Sequence, residues 1–176
     1  PLVRAKARRL QHLLRTRSAD TVLEMYRDLQ QQHPDAITPH TYMGEVLIWL
    51  GRTAEAKRQL QHAIDRDLTT QWAWIGLGAA ALLEQQPERA IELFAEGIEH
   101  CRFEGPTMFV YRAECWLKLG RLDQARQDID VALSSKPQRL SAWLLRAQID
   151  SAKDDKTLAN ALARVLAERV PHLFQA

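Results

Sequence analysis

The stretch LGRTAEAKRQLQHAI, residues 50–64, returns almost unchanged later in the chain as LGRLDQARQDIDVAL, residues 119–133. The two copies start 69 residues apart, which is twice 34 plus one residue. Recurrence at a fixed period of about 20–50 residues is the sequence signature of a repeat protein, whose copies are small structural units. The repeated stretch therefore predicts that the rest of the chain consists of further 34-residue copies.

Five frames of 34 residues cover nearly the whole chain when Gly105 is left between the third and fourth frames. The frames are 3–36, 37–70, 71–104, 106–139 and 140–173, called repeats one to five, and a column is a position within a frame. Small residues dominate columns 8 and 20, which hold Leu10, Gly44, Gly78, Ala113 and Ala147, and Val22, Ala56, Ala90, Ala125 and Ala159. Column 4 holds the aromatic residues Trp74, Phe109 and Trp143, and column 32 holds Pro34, Pro137 and Pro171.

These columns resemble the pattern of the tetratricopeptide repeat (TPR) family, and the resemblance covers nearly the whole chain. Repeat one departs from it with Leu10 and Val22 at small columns, and repeat five has Asp154 and Asp155 in place of the turn glycine. Terminal repeats are expected to be atypical because they cap the array. The resemblance implies an all-α fold, a right-handed α-solenoid of about ten helices in one domain spanning residues 1–176, with first helices on the concave side.

The hydrophobic spacing within repeat two agrees with that fold. Apolar or small residues recur at steps of three and four on both sides of Gly51, as two amphipathic helices require. They are Met43, Gly44, Leu47 and Leu50, then Ala56, Leu60, Ala63 and Ile64. Neither helix can bury its apolar face within one repeat, so neighbouring repeats must stack.

Composition limits the possible classes of protein. The 176 residues are 46% hydrophobic and 26% charged, and no apolar run approaches the roughly 18 residues that cross a bilayer. We expect a cytoplasmic protein without a transmembrane segment or signal peptide. The chain starts at Pro1 rather than a methionine, which leaves open that it is a fragment of a longer protein.

Motifs for chemistry are absent from the sequence, which has no glycine-rich phosphate loop, no GxSxG and no HExxH. His33, Asp35 and His40 lie around a proline, and their spacing is not that of a recognised metal site. We therefore expect them to be turn residues rather than metal ligands. Cys115 occupies an inward column and is expected to be buried, whereas Cys101 follows a helix end and could be an exposed thiol. We predict a non-catalytic protein with no cofactor and no metal.

A partner-binding groove is implied by the resemblance, because TPR proteins commonly contact peptides through columns 2, 5, 6, 9, 12 and 13. From these columns we predict a groove formed by Tyr42, Glu45, Trp49, Trp72, Ile75, Gly76, Ala79, Leu83, Val110, Tyr111 and Glu114. The lysine and asparagine with which some TPR domains grip a terminal carboxylate are missing. Gly76 and Ala79 predict a shallow depression at its centre, where an apolar side chain of a protein partner, flanked by basic residues, would bind.

The basic N-terminal arm supports a different interpretation. Residues 1–17 contain six of the 24 Lys and Arg residues and no acid, while the remaining 18 are outnumbered by 22 acidic residues. Arg4, Arg8 and Arg15 lie off the apolar stripe, so this helix could bind nucleic acid or an anionic membrane. A third possibility is the scaffold domain of a larger enzyme. The sequence does not indicate an oligomeric state.

Overall fold

A computed structural model describes residues 2–101 and 106–154, and within them every regular element is an α-helix. The nine helices are α1 Leu2–Leu13, α2 Ala19–Gln32, α3 Thr38–Trp49, α4 Thr53–Arg66, α5 Gln71–Leu83, α6 Pro87–His100, α7 Thr107–Lys118, α8 Leu122–Ser135 and α9 Leu140–Asp154. The predicted all-α fold of helix–turn–helix repeats is confirmed. The second helix predicted for repeat five falls outside the described residues.

The helices belong to two compact bodies, residues 1–101 and residues 102–176. The N-terminal body contains α1 to α6, which are the helix pairs of repeats one, two and three. The described part of the C-terminal body contains α7 and α8 of repeat four and α9 of repeat five. In each body the two helices of a repeat contact each other, and each first helix also contacts the first helix of the next repeat.

The turn glycines of the repeated stretch end the first helices in the same way. Gly51 and Gly120 have φ values of 71° and 70°, the left-handed conformation that glycine adopts without steric cost. After α3, Gly51 N–H donates to Ile48 O and Arg52 N–H to Leu47 O, at 3.0 and 2.9 Å. These two bonds are a Schellman motif, which satisfies carbonyls that the end of a helix leaves unpaired. The same motif ends α5, where the left-handed residue is Gln85, with φ 59°.

The column-4 tryptophans join consecutive repeats through one recurring hydrogen bond. Trp74 Nε1 donates to Leu68 O at 2.8 Å, and Trp143 Nε1 donates to Pro137 O at 2.7 Å. Both acceptors stand at column 32 of the preceding repeat, where the backbone leaves its second helix. An indole N–H group usually finds a hydrogen-bond partner when its ring is packed, so these two bonds attach repeat three to repeat two and repeat five to repeat four.

Leu60 packs α4 against two first helices at once. It is fully buried, and a Cβ atom built on Gly44 would lie 2.6 Å from its Cγ atom. A Cβ atom built on Gly76 would lie 2.7 Å from Leu60 Cδ1. Gly76 is therefore a packing residue, and the prediction that the fold requires no small residue there is wrong. The isobutyl group of Leu60 fits between α3 and α5 because both helices lack a side chain at the contact.

The predicted close crossing at Gly78 is present between α5 and α6. A Cβ atom on Gly78 would lie 2.2 Å from Cε1 of Phe94, which is 1% exposed. A large aromatic ring on the second helix thus lies directly against the backbone of the first. In repeat three, column 8 must therefore hold glycine, because the Phe94 ring occupies the space that a side chain would take.

The C-terminal body has its own apolar core and a buried ion pair. The core residues from α7, α8 and α9 are Val110, Ala113, Ala125, Ile129, Ala132, Leu133, Ala142, Leu145 and Ile149. Beside them, Arg112 Nε and Nη2 donate to the two carboxylate oxygens of Asp128 at 2.8 and 2.6 Å. Asp128 is only 5% exposed, so this bidentate pair supplies the hydrogen bonds that its buried charge needs.

A polar cluster joins α2, α3 and α4 in the N-terminal body. With its proton placed on Nδ1, His40 donates to Gln59 Oε1 at 2.8 Å, and Gln30 Nε2 donates to the same oxygen at 2.9 Å. The His40 ring also lies 4.1 Å from that of His62, measured between centroids. Burial lowers the pKa of His40 below its ordinary value, and the nearby His62 and Arg66 lower it further.

We expect Gly76→Ala to destabilise the protein by about 1–3 kcal/mol, the usual range for overpacking a core. This loss should exceed the gain of at most about 1 kcal/mol in helix propensity. In a Leu60→Ala background the new methyl group has room, so Gly76→Ala should there be neutral or stabilising. Urea unfolding of the four proteins measures the coupling between the two residues. A Gly76→Ala variant more stable than wild type would contradict the packing described here.

Stability should fall as the pH drops below about 6.5, where an unfolded-state histidine gains its proton but His40 in the folded state does not. The loss should grow until the pH reaches the lowered pKa of His40, and it should be absent at neutral and higher pH. Melting temperatures between about pH 5 and 7.5 measure it. His40→Gln should reduce this pH dependence, whereas His12→Gln, at an exposed position of α1, should leave it intact. Equal pH dependence in both variants would contradict the assignment.

Candidate functional site

The candidate site of the N-terminal body is the exposed face of α1, α3 and α5, called the first-helix face. The three helices lie in order, since α3 contacts both α1 and α5. Gln11 Nε2 on α1 donates to Glu45 Oε2 on α3 at 2.5 Å. Both residues stand at column 9, so equivalent columns of neighbouring first helices lie side by side.

Large apolar side chains are exposed on this face. Trp49 is 59% exposed, Trp72 is 56% exposed and Leu83 is 53% exposed. Trp74, two residues after Trp72 in the same helix, is only 4% exposed. The contrast follows from the helical period, because residues two apart point about 200° away from each other. Tyr42, at column 6 of α3, is half-buried.

The two exposed tryptophans lie at opposite ends of the first-helix face. Trp49 is the last residue of α3, and Trp72 is the second residue of α5. Short turns make successive helices antiparallel, so α3 and α5 run in the same direction. The tryptophans occupy columns 13 and 2, and at 1.5 Å per residue they are about 16 Å apart along the helix axes. Leu83, also at column 13, extends the apolar surface on the Trp49 side.

Two residues predicted to line the groove are instead buried. Ile75 is 8% exposed and Val110 is 7% exposed, and Val110 belongs to the core of the C-terminal body. Both stand at column 5, where Ala7 and Thr41 are buried as well. Column 5 thus points to the interior in this chain. The sequence did contain a signal, since this column is apolar in four of the five frames.

The other predicted groove residues differ in exposure. In the N-terminal body, Glu45 and Ala79 are half-buried, and Gly76 lies over Leu60 as described above. On α7 of the C-terminal body, Tyr111 is 37% exposed. The carboxylate of Glu114 lies 3.8 Å from Lys118 Nζ, one helical turn further along. The partner-binding roles of these residues remain predictions.

The basic arm consists of α1 and the turn that follows it, and α1 is an integral part of the N-terminal body. Ala7 is buried in it, and its carbonyl accepts a hydrogen bond of 2.7 Å from the hydroxyl of Tyr26 on α2. Arg4, Arg8 and Arg15 are exposed, and none of them has an ion-pair partner in the part of the chain that the structure describes. They stand at columns 2, 6 and 13, so they extend the first-helix face on its α1 side.

The thiols are inside the protein. Burial raises the pKa of Cys115 to about 11, so this thiol stays protonated at neutral pH and packs as a small apolar group. Cys101 is 6% exposed, with its Sγ atom 3.7 Å from Leu68 O, and the expectation of an exposed thiol is wrong. Within residues 2–101 and 106–154, no group of three or more His, Cys, Asp or Glu side chains is placed to hold a metal ion.

Among the described helices, none combines the length and the apolarity needed to cross a membrane. No protein-family model matches the sequence. A segment of 76 residues, 43% of this chain, is 29% identical to Tetratricopeptide repeat protein 7A of Homo sapiens. That segment spans 9% of the human protein's length.

Two solved structures are similar in fold. MamA from Desulfovibrio magneticus RS-1 gives a TM-score of 0.71 at 17% identity, over 93% of each chain. YrrB, described as a TPR protein with an unusual peptide-binding site, gives a TM-score of 0.64 at 17% identity, over 93% of this chain and 84% of its own. At such identities the similarity concerns the fold. Together with the helix pairs and their 34-residue period, it confirms the resemblance inferred from the columns, and the chain has the tetratricopeptide repeat fold.

Proposed function

We propose that the first-helix face binds a segment of a protein partner through apolar anchor residues. The TPR fold is typical of protein–protein interaction scaffolds. The observation that carries the proposal is the exposure of Trp49, Trp72 and Leu83, each more than half accessible on one face. Tryptophan is enriched among the residues that dominate binding energy at interfaces. Two exposed tryptophans on one face are therefore candidate anchors for a partner segment.

The spacing of the anchors sets the length of the partner segment. Trp49 and Trp72 are about 16 Å apart along the helix axes, at 1.5 Å per residue, and packed helices are about 8–10 Å apart across their axes, so the two anchors are about 19 Å apart. An extended segment advances about 3.3–3.6 Å per residue, so apolar side chains about six residues apart, which lie on the same face of the segment, would contact both tryptophans. A helical segment would need a separation of about twelve residues. YrrB is a fold relative whose description names a peptide-binding site, and it supports a peptide ligand for this chain as well.

The charges of the face refine the expected partner. Basic residues in the partner were predicted from Glu45 and Glu114, but Gln11 donates to Glu45, and Lys118 lies beside Glu114. The exposed charges of the first-helix face are instead the arginines of α1. A segment whose acidic end lies toward α1 would complement them.

We expect Trp49→Ala and Trp72→Ala each to weaken partner binding at least about tenfold, since anchor residues commonly contribute 2 kcal/mol or more. Replacing either tryptophan with a photo-crosslinking phenylalanine analogue would identify the partner, whose affinity is then measured by calorimetry. Met25→Ala is the matched control, because Met25 is 38% exposed but lies on α2. Unchanged affinity in both tryptophan variants, with helicity intact, would contradict the proposal.

The arginines of the basic arm support a second candidate, binding of nucleic acid or an anionic membrane, because Arg4, Arg8 and Arg15 are exposed and have no ion-pair partner among the described residues. We expect the variant with Arg4, Arg8 and Arg15 all changed to Glu to keep its fold. If the arm only adds charge to the face, partner affinity at physiological salt should change by less than about 1 kcal/mol, the scale of exposed ion pairs. Binding to RNA or anionic vesicles that this variant loses, and that falls steeply with salt, would favour the second candidate.

A further inference from the structure

A cleft of about 390 Å³ lies in the N-terminal body between α4, α6 and the end of α5. It shares no residue with the first-helix face. Its apolar lining, called the floor, consists of Leu77, Ala81 and Leu93, and basic side chains from α4 and α6 also line it. This basic cleft has the size and the apolar lining of a ligand site, with a few polar groups at the edge.

Positive charge dominates the basic cleft. Lys57, Arg58 and Arg89 line it together with one carboxylate, that of Glu84. Lys57 Nζ lies 2.7 Å from Glu84, and this bond lowers the pKa of the carboxyl group, so the two charges neutralise each other. Two guanidinium groups remain, which gives the cleft a net positive charge.

Both arginines of the basic cleft can pair with a ligand carboxylate. Arg58 has no ion pair within 4 Å among residues 2–101 and 106–154. Arg89 contacts Glu92, one turn along the same helix and outside the cleft, at 2.6 Å. Exposed ion pairs of this kind contribute little to the free energy of folding. A ligand carboxylate can therefore replace Glu92 as the partner of Arg89 at little cost in stability. Guanidinium groups bind carboxylates with two parallel hydrogen bonds, which favours this exchange.

The floor and one wall of the basic cleft are already formed without a ligand. Leu77, Ala81 and Leu93 are 5%, 3% and 8% exposed, so they are held by the interior of the body. Gln86, which lines one wall, is fixed because its N–H group donates to Ala81 O at 2.9 Å in the Schellman motif. A ligand therefore meets a shape that needs little reorganisation, which lowers the free-energy cost of binding.

We propose that the basic cleft is a second binding site, which takes a short acidic peptide segment with one apolar side chain. The apolar side chain lies on the floor, and Asp or Glu residues on either side of it pair with Arg58 and Arg89. The apolar floor favours a peptide over a free inorganic anion, which would bury nothing there. The absence of any aromatic side chain in the lining disfavours a nucleobase, which needs a ring to stack on. This site is independent of the function proposed for the first-helix face.

The test is a titration of the ¹⁵N-labelled full chain, followed by amide chemical shifts, with the capped peptide acetyl-Glu-Glu-Leu-Glu-Glu-amide. We expect saturable shifts at the amides of Arg58, Ala81 and Gln86. The glutamine counterpart, acetyl-Gln-Gln-Leu-Gln-Gln-amide, should bind about tenfold more weakly, because it lacks the charges that strengthen hydrogen bonds to arginine. The double variant Arg58→Gln/Arg89→Gln should lose a similar factor while keeping its melting temperature.

The Trp49→Ala/Trp72→Ala variant is the matched control and should bind the acidic peptide as wild type does, which separates this site from the first-helix face. The proposal is overturned if the acidic peptide shifts only amides of the first-helix face, such as those of Tyr42, Trp49 and Trp72, if the two peptides bind equally, or if no amide of the cleft responds. It is also overturned if an oligouridine binds the same amides more tightly than the peptide.

Discussion

The N-terminal body depends on how Leu60 is placed between the backbones of α3 and α5. One side chain of a second helix holds the first helix of its own repeat and the first helix of the next repeat. This is possible because Gly44 and Gly76 leave no side chain in the way. Helix pairs that cannot bury their apolar surface alone are stabilised by such contacts between neighbours. The contact therefore sets the spacing of the helices that present the first-helix face.

The contact between Leu60 and the two glycines also shows which features of the fold could be predicted from the sequence and which could not. The 34-residue period predicted the helix pairs, the turns at Gly51 and Gly120, and the close crossing at Gly78, since each is a local requirement of one repeat. Gly76 was placed in the groove because columns describe one repeat at a time. Its contact partner lies in the preceding repeat, and only the packed structure shows how far Leu60 reaches. The sequence alone does not show how far the Leu60 side chain extends toward α5.

The candidate site was predictable to a similar extent. The exposed positions of Trp49, Trp72 and Leu83 followed from their columns. Ile75 and Val110 were misplaced because column 5 lies at the edge of the face, where a small rotation of the helix decides between interior and surface. The basic cleft was not found from the sequence, because it is formed by Lys57, Leu77 and Arg89, which stand at columns 21, 7 and 19 of two repeats. Only the stacking of α4 and α6 on α5 brings these columns together.

The surfaces of the N-terminal body are chemically different from each other. The first-helix face offers aromatic anchors with arginines at one side, while the basic cleft offers an apolar floor between guanidinium groups. Both depend on α5, which contributes Trp72 and Leu83 to the face, and Leu77 and Ala81 to the cleft. Residues of one helix thus reach both surfaces, because its opposite sides point about 180° apart.

The end of α5 also has a consequence for local motion. Gln85 holds the left-handed conformation that Gly51 and Gly120 hold elsewhere, at a cost of order 1–3 kcal/mol for a residue with a side chain. The turn between α5 and α6 is therefore the least stable of the three. Hydrogen exchange of its amides should be faster than at the two glycine turns, because local opening there releases strain. Gln86 follows directly, and its bond to Ala81 O is the contact that keeps this turn, and with it one wall of the basic cleft, closed against that strain.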